Sequence, residues 1–497
     1  MPRRLAAFAA LLALSLGCAG PIALSREARA SRQLASLRGD PSLQADFLRQ
    51  MPKGGDLHLH LSGAVYAESY LRWAEEDGLC VRRDPLGLVT ECDAARGDLP
   101  TADALRADGG LYDAMVNALS MRAHDPSGPP GHDHFFAAFD RFDARRSRDG
   151  DALAEVLSRL ARQNTWYVEV MQSFGVGSVA SLGANAPWGA DLGPAVAAID
   201  AARVTAWVQR ARARIDDQER RARELLRCGR PDEDPGCQVT ARYLVAPLRT
   251  MGPGEVLAQM VAATALVEAD PRAVGLNLVA PEDHPLARRH YSEHMRAVAF
   301  VTRRGERVPV SLHAGELSPS LVPPEDAAFH VAEAVRVAGA RRIGHGSDIA
   351  WERDASGTLA EMARRGVAIE HCLSSASLIL GLHGRDYPLE LYRRAGVPQV
   401  LATDDEGVAR SDLTREYLRA VTVWGLSYTD LKRMARDALE RSFLPGASVW
   451  AGRVGLRRAE CVSDWASAAC VRALVGSERA RAQARLEAEF QRFEARW

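Results

Sequence analysis

Eight short apolar runs punctuate the chain: Gly55–His60, Trp166–Gln172, Thr240–Ala246, Ala273–Val279, Val308–His313, Arg342–Gly346, Gly366–Cys372 and Pro398–Thr403. Their length and apolar content predict strands. Between most of them lie longer Ala/Arg/Glu/Leu-rich segments with helical periodicity, among them Ala195–Leu226, Pro253–Ala269, Pro324–Ala338 and Ser356–Arg365. Strands alternating with helices predict a parallel sheet, and eight such units predict its closure into an α/β (β/α)8 TIM barrel. The near-continuous apolar character of the strands suits burial on both faces.

One connection is far longer than a βα loop and its helix require. About 105 residues separate the first two strands, against the few usual for such loops. They carry helical patterns at Ala64–Asp77, Leu111–Met121 and Phe135–Phe142, and so predict a long helical insertion over the barrel mouth. Within it, His132 and His134 repeat an H-x-H spacing in a Gly/Pro-rich stretch. They are read as surface or pocket residues of a loop rather than as ligands. After the eighth strand, Leu413 to Trp497 is mostly helical and predicts an extension packed on the barrel.

The polar residues of the apolar runs fall at their ends. Successive side chains of a strand alternate between faces, so His58 and His60 project together while Leu57, Leu59 and Leu61 turn the other way. His313 ends the fifth run, His345 the sixth and Asp404 the eighth. In a barrel of this kind the C-terminal strand ends share one mouth. Three imidazoles and a carboxylate there suit a hydrolytic metal site, with His58, His60, His313 and Asp404 as ligands of one Zn2+ per chain. Iron or manganese would also fit that donor set. Glu316, three residues beyond His313, is placed for general acid work if burial raises its pKa. His345, between two glycines at a strand end, would stand beside the metal-bound water, able to take its proton or hold its orientation. The side chains of Asp404 and Asp405 diverge, which leaves Asp405 facing the pocket as a hydrogen-bond acceptor.

Composition changes this picture little. The chain has 497 residues, 47% of them apolar, and a net charge of −1. No block of like charge argues for a nucleic-acid partner. The ends and the cysteines add more. Arg3 and Arg4 precede the apolar run Leu5–Leu16 and then Cys18. This has the form of an export signal with a lipobox-like end, and is too short to span a bilayer. The expectation is a leader at 1–18, a tether at 19–42, the barrel at 43–460 and a helical extension at 461–497. The protein would be exported, periplasmic or on the outer membrane or cell surface, and touch membrane only through a lipid anchor at Cys18. The local pairs Cys80/Cys92, Cys228/Cys237 and Cys461/Cys470 read as disulfides, with Cys372 a buried thiol.

Together, Pro52-Lys53 before His58-Leu-His60-Leu-Ser-Gly63, then His313-Ala-Gly-Glu316, Ile343-Gly-His-Gly346, Cys372-Leu-Ser-Ser375 and Thr403-Asp-Asp405 resemble the metal-dependent adenosine deaminase family of the amidohydrolase superfamily. Pro-Lys-Gly-Gly and Gly275-Leu-Asn-Leu-Val-Ala-Pro-Glu-Asp283 lean toward its secreted, growth-factor-like branch. The resemblance implies hydrolytic deamination of adenosine, deoxyadenosine or a related 6-aminopurine nucleoside. Glu316 would protonate N1, His345 would shuttle a proton, and Asp405 would accept or share a hydrogen bond at N7. It also implies substrate contacts at His60, Ser62 and Ala280. Ser62 replaces an acidic residue near the ribose, and Ala280 a Gly whose N–H meets N3. Glu406 follows the Asp pair where a Pro is common. Two alternatives remain: another amidohydrolase acting on an amide, lactone or ester, and a nucleoside-binding lipoprotein without turnover. A two-metal site bridged by Lys is disfavoured, because the fourth run ends without one.

Overall fold

The computed structural model describes residues 24–125, 128–142, 148–303, 308–462 and 467–497. The apolar leader and Cys18 lie outside the described residues. Eight parallel strands form the centre: β1 (Gly55–His60), β2 (Tyr167–Gln172), β3 (Thr240–Val245), β4 (Ala273–Leu276), β5 (Ser311–Ala314), β6 (Arg342–His345), β7 (Ala368–His371) and β8 (Gln399–Leu401). They pair in sequence order from β1 to β4 and from β5 to β8. Two seams close the ring. Leu276 meets Val310 between β4 and β5, and Leu59 meets Asp404 between β8 and β1. At the second seam Asp404 N–H donates to His58 O at 2.8 Å and His60 N–H donates to Asp404 O at 3.2 Å. The bonds that close the barrel therefore also clamp the His pair against Asp404.

The barrel interior is not purely apolar. Arg342 is fully buried between Glu169 of β2 and Glu370 of β7. The Phe443 N–H and the Tyr167 hydroxyl donate to Glu169 at 2.6 and 2.8 Å. A buried charge persists only when paired and hydrogen-bonded, and each of these carboxylates is.

Lys53, from the Pro-Lys stretch, is fully buried and works as a cap. Its ammonium donates to the carbonyls of Leu48 (2.6 Å), Met51 (3.1 Å) and Gln163 (2.6 Å). It thereby ties the end of helix Pro41–Gln50 to the end of helix Asp149–Arg162, just before β1 begins. Lys53→Met keeps the stem and strands those carbonyls. We expect it to lower the free energy of unfolding by about 2–4 kcal/mol in a denaturant titration.

Several sequence expectations change in detail. The described part of the expected tether is a helix, Arg26–Ser36, with Ala30 and Leu34 buried. Its Arg29 donates to Trp497 O at 2.8 Å, so an amphipathic face holds it against the C-terminus. The helix expected at Ala195–Leu226 breaks because Asp200 accepts from the N–H groups of Ala202 and Arg203 and starts a new helix, Ala201–Leu225. The one expected at Pro324–Ala338 is short at His330–Glu333 and then widens into a π-helical turn at Ala334–Ala338.

The insertion between β1 and β2 includes helices and a small antiparallel sheet of Cys80–Arg83, Leu86–Val89 and Leu99–Pro100. It crosses the mouth. Met121 N–H donates to Val408 O beyond β8, and Gly131 N–H to Leu378 O beyond β7, both at 2.8 Å. On the far side His132 Nε2 lies 3.1 Å from Asp283 Oδ1, beyond β4. His132 and His134 are not in a loop: they open helix His132–Phe142. His134 Nε2 points at the Asn117 and Ser120 carbonyls, at 2.9 and 3.1 Å. The cysteine pairs stand at bonding distance, with S–S of 1.92, 2.02 and 2.00 Å, and Cys372 is a buried free thiol. Helix Glu478–Glu494 packs on helix Tyr428–Arg441 through Arg436–Glu487 and Lys432–Glu494 ion pairs. No described helix is long and apolar enough to cross a membrane.

Candidate metal and catalytic site

β1 delivers His58 and His60 inward because its leucines occupy the opposite face. His58 Nδ1 lies 2.8 Å from Glu370 Oε2, and His313 Nδ1 lies 2.7 Å from Asn277 Oδ1. With Nδ1 turned to these acceptors, each ring presents its Nε2 to the mouth. The Nε2 atoms of His58 and His60 both lie 3.1 Å from that of His313. Asp404 Oδ1 lies 3.5 Å from His58 Nε2 and 3.3 Å from His60 Nε2. Ser375 Oγ donates to the other oxygen, Asp404 Oδ2, at 2.6 Å. Tetrahedral ligands about 2.0–2.1 Å from a zinc ion stand about 3.3 Å apart, close to these separations. The donor atoms of His58, His313, His345 and Asp404 form one cluster that could hold a metal ion, and those of His60, Asp404 and Asp405 a second. The Asp404 and Glu370 carboxylates outweigh burial and lift His58 to about 10, which is the same attraction a cation would satisfy.

His345 sits at the end of β6 with both ring nitrogens buried and unpartnered. Burial holds it near 4, against the pull of Asp404, so the ring is neutral. Its Nδ1 is 3.7 Å from Glu316 Oε1. Glu316 is raised well above the carboxylate range by burial, then by Asp404 and Glu282. Asp405 is raised by burial and by Asp404. A carboxyl so raised holds its proton more readily and can then donate as well as accept, in line with the hydrogen bond accepted or shared at N7 that the resemblance implies. Its placement depends on Gly63: a Cβ there would lie 1.6 Å from Asp405 Oδ1.

His345, Asp404 and Ala280 all have positive φ, at 69°, 61° and 83°. Non-glycine residues in that region are uncommon and cluster at functional sites. Ser62 is half-buried, and its carbonyl accepts from the Tyr70 hydroxyl. Glu406 turns away from the mouth and pairs with Arg159 at 2.8 Å. Arg159 lines a cleft of about 710 Å³, which also includes Tyr66, Trp73 and Arg221. None of His58, His60, His313, His345 and Asp404 lines it.

Sequence reasoning passed over Glu370, Asn277 and Glu282. Each had a signal, since a lone polar residue inside or just after an apolar barrel strand has to be buried.

A family model described as "Adenosine deaminase" matches residues 151–449. An adenine deaminase of Rhizobium leguminosarum bv. trifolii is 29% identical over 195 residues, covering 39% of this chain and 54% of that protein. An adenosine deaminase of Salmonella dublin is 35% identical over 122 residues, covering 24% of this chain and 32% of that protein. The chain thus spans about half the length, or less, of these curated relatives. A solved amidohydrolase from Burkholderia ambifaria with bound zinc superposes with a TM-score of 0.53 at 17% identity. That alignment covers 91% of this chain and 95% of the other, and supports the barrel fold.

Proposed function

Since the chain belongs to the adenosine deaminase family, we propose that it hydrolyses the exocyclic amine of a 6-aminopurine, adenosine or a close relative, to the 6-oxopurine and ammonia. One observation carries this reading. Glu316, His345, Asp404 and the Nε2 atoms of His58, His60 and His313 converge in one buried mouth, where burial raises Glu316 and lowers His345. Environments that push neighbouring titratable groups apart mark acid and base assignments.

His58, His60 and His313, through Nε2, and Asp404, through Oδ1, would hold one divalent metal, zinc in our reading. When bound, it supplies a water activated for attack near neutral pH. The rest falls to the chain's own side chains. Glu316 gives its proton to ring N1, which drains electron density from C6. His345 accepts one proton of the attacking water and gives it to the amine, which leaves as ammonia as the C6–N bond breaks; the second water proton leaves the new C6 hydroxyl for Glu316 as the C6 carbonyl forms. Asp405 donates to N7 and sets the orientation of the base. The insertion covers the mouth and excludes bulk water. Ser62 and Ala280 are read as contacts to the sugar side and to N3.

Ammonia release decides the substrate. Adenosine, 2′-deoxyadenosine, adenine, AMP and N6-methyladenosine are offered to zinc-loaded protein, the free base included because adenine deaminases are among the relatives. Turnover of a 6-aminopurine is expected. No turnover of any, with one metal bound, would favour an amidohydrolase acting on an amide, lactone or ester. We also read the chain as exported, by the Arg3–Cys18 leader and the three cysteine pairs. Titration of the unreduced, denatured protein lacking residues 1–18 should count one thiol, Cys372, and a count of seven would sink the bridges.

A further inference from the structure

Beyond the mouth of β4, two adjacent carboxylates face opposite ways. Glu282 points inward and is fully buried. Its Oε1 accepts the Gly315 N–H at 3.0 Å and its Oε2 the Glu316 N–H at 2.8 Å. His330 Nδ1 lies 2.6 Å from Oε1 and Arg249 Nη1 3.6 Å from Oε2. One carboxylate therefore grips two consecutive amides of the turn that carries Glu316. That turn has little other freedom: Gly315 has φ of 75°, and a Cβ there would lie 2.1 Å from Asp348 Oδ1. Asp283 points outward and meets His132, the first residue of the insertion helix that spans the mouth. Pro281, with its fixed φ, and Ala280, at φ 83°, precede the pair. The segment therefore has little backbone slack to absorb a movement of Asp283.

We propose that Glu282-Asp283 is a joint between the insertion and the proton donor: Glu282 is a positioning residue for Glu316, and His132 sets Glu282 through Asp283. The proposal rests on the deaminase reading of the site. It makes closure of the insertion and readiness of the acid a single event, so that the carboxyl is correctly aimed only when the mouth is covered. The opposite states of the two carboxyls agree with this arrangement. Glu282 is held near 2 by His330 and Arg249 against burial, while Glu316 is raised.

The test has a kinetic arm and a structural arm. Glu282→Gln should lower kcat ~100-fold with KM changed less than ~3-fold, because misaiming a catalytic group by about 1 Å costs on that order. Glu282→Asp, which keeps the charge and both oxygens, should recover at least ~5-fold of that loss. His132→Gln and Asp283→Asn should each lower kcat ~10-fold, and either one added to Glu282→Gln should cost nothing further, since coupled residues are not additive. In the structural arm, hydrogen exchange of the Gly315 and Glu316 amides should quicken in Glu282→Gln and in His132→Gln. This arm needs no turnover, so an inactive wild type would sink the deaminase reading while exchange still judges the joint. Unchanged exchange in both variants would overturn the joint. So would a His132→Gln defect confined to KM, or one that multiplies with that of Glu282→Gln. If Glu282→Gln does not fold, exchange and the kcat/KM split in the His132→Gln and Asp283→Asn variants, at partly buried positions, decide alone.

Discussion

Glu316→Gln should lower kcat by about 1,000-fold, within the range a positioned general acid contributes, and leave KM within a few-fold. The substitution keeps the shape of the side chain and the backbone N–H that Glu282 holds at 2.8 Å. A carboxamide can still donate a hydrogen bond to ring N1, so ground-state binding survives. It cannot give up a proton, so the transition state loses the charge transfer that makes C6 electrophilic. The metal donors are untouched, and metal content by elemental analysis should equal that of the wild type. The pH profile gives a second check. Burial and two neighbouring carboxylates raise Glu316, and the working form is the protonated one. Activity is therefore present below the raised pKa and is lost as pH rises through it, which places the alkaline limb above the ordinary carboxylate range. Glu316→Gln should lack that limb. A variant that retains both the rate and the limb would remove Glu316 from the chemistry.

Much of this was readable from the chain, for a physical reason. Barrel strands are short, buried on both faces and parallel, so a polar residue at a strand end has one destination. That constraint takes His58, His60, His313, His345 and Asp404 from sequence spacing to one mouth. The structure sets neighbouring donor atoms of His58, His60, His313 and Asp404 3.1–3.5 Å apart, and His345 Nδ1 3.7 Å from Glu316 Oε1. What spacing could not supply is the side-chain partner across the barrel. Glu370 is 312 residues from His58, and Glu282 is 34 from Glu316. Neither pairing has a local period. The direction taken by His132 was equally hidden. Gly and Pro before it suggested a loop, but the chain uses them to turn into a helix, and Gly131 is pressed against Met121 and Leu378 where no side chain fits. The side chain of Glu406 was hidden too: next to the Asp pair in sequence, it turns away from the mouth to Arg159.

The second large effect is expected from Glu370→Gln, which touches neither substrate nor solvent. One Glu370 oxygen holds His58 Nδ1 at 2.8 Å, the other holds Arg342, and Ser311 Oγ donates to both at 3.0 and 3.1 Å. Removing the charge leaves Arg342 with Glu169 alone, in the middle of the barrel. Fully stranding one member of a buried ion pair costs about 3–5 kcal/mol, and with Glu169 still in place that range is the upper bound here. It also releases the tautomer of His58, because an amide can present its NH2 to Nδ1 and force the proton to Nε2, the atom needed as a donor. Loss of such a supporting partner weakens metal binding about 10–100-fold. Two measurements follow: a lower unfolding free energy in denaturant, and a weaker zinc affinity in competition with a chelator. The stability deficit has a signed pH dependence. Arg342 and His58 outweigh burial and hold Glu370 near 2, below the ordinary glutamate value of about 4.3. Its stabilising contribution is thus full above the unfolded-state pKa and disappears as pH falls through the folded one. Wild type and Glu370→Gln should differ most near neutrality and converge toward pH 2. A deficit that stayed constant across that range would mean that Glu370 acts by packing rather than by charge.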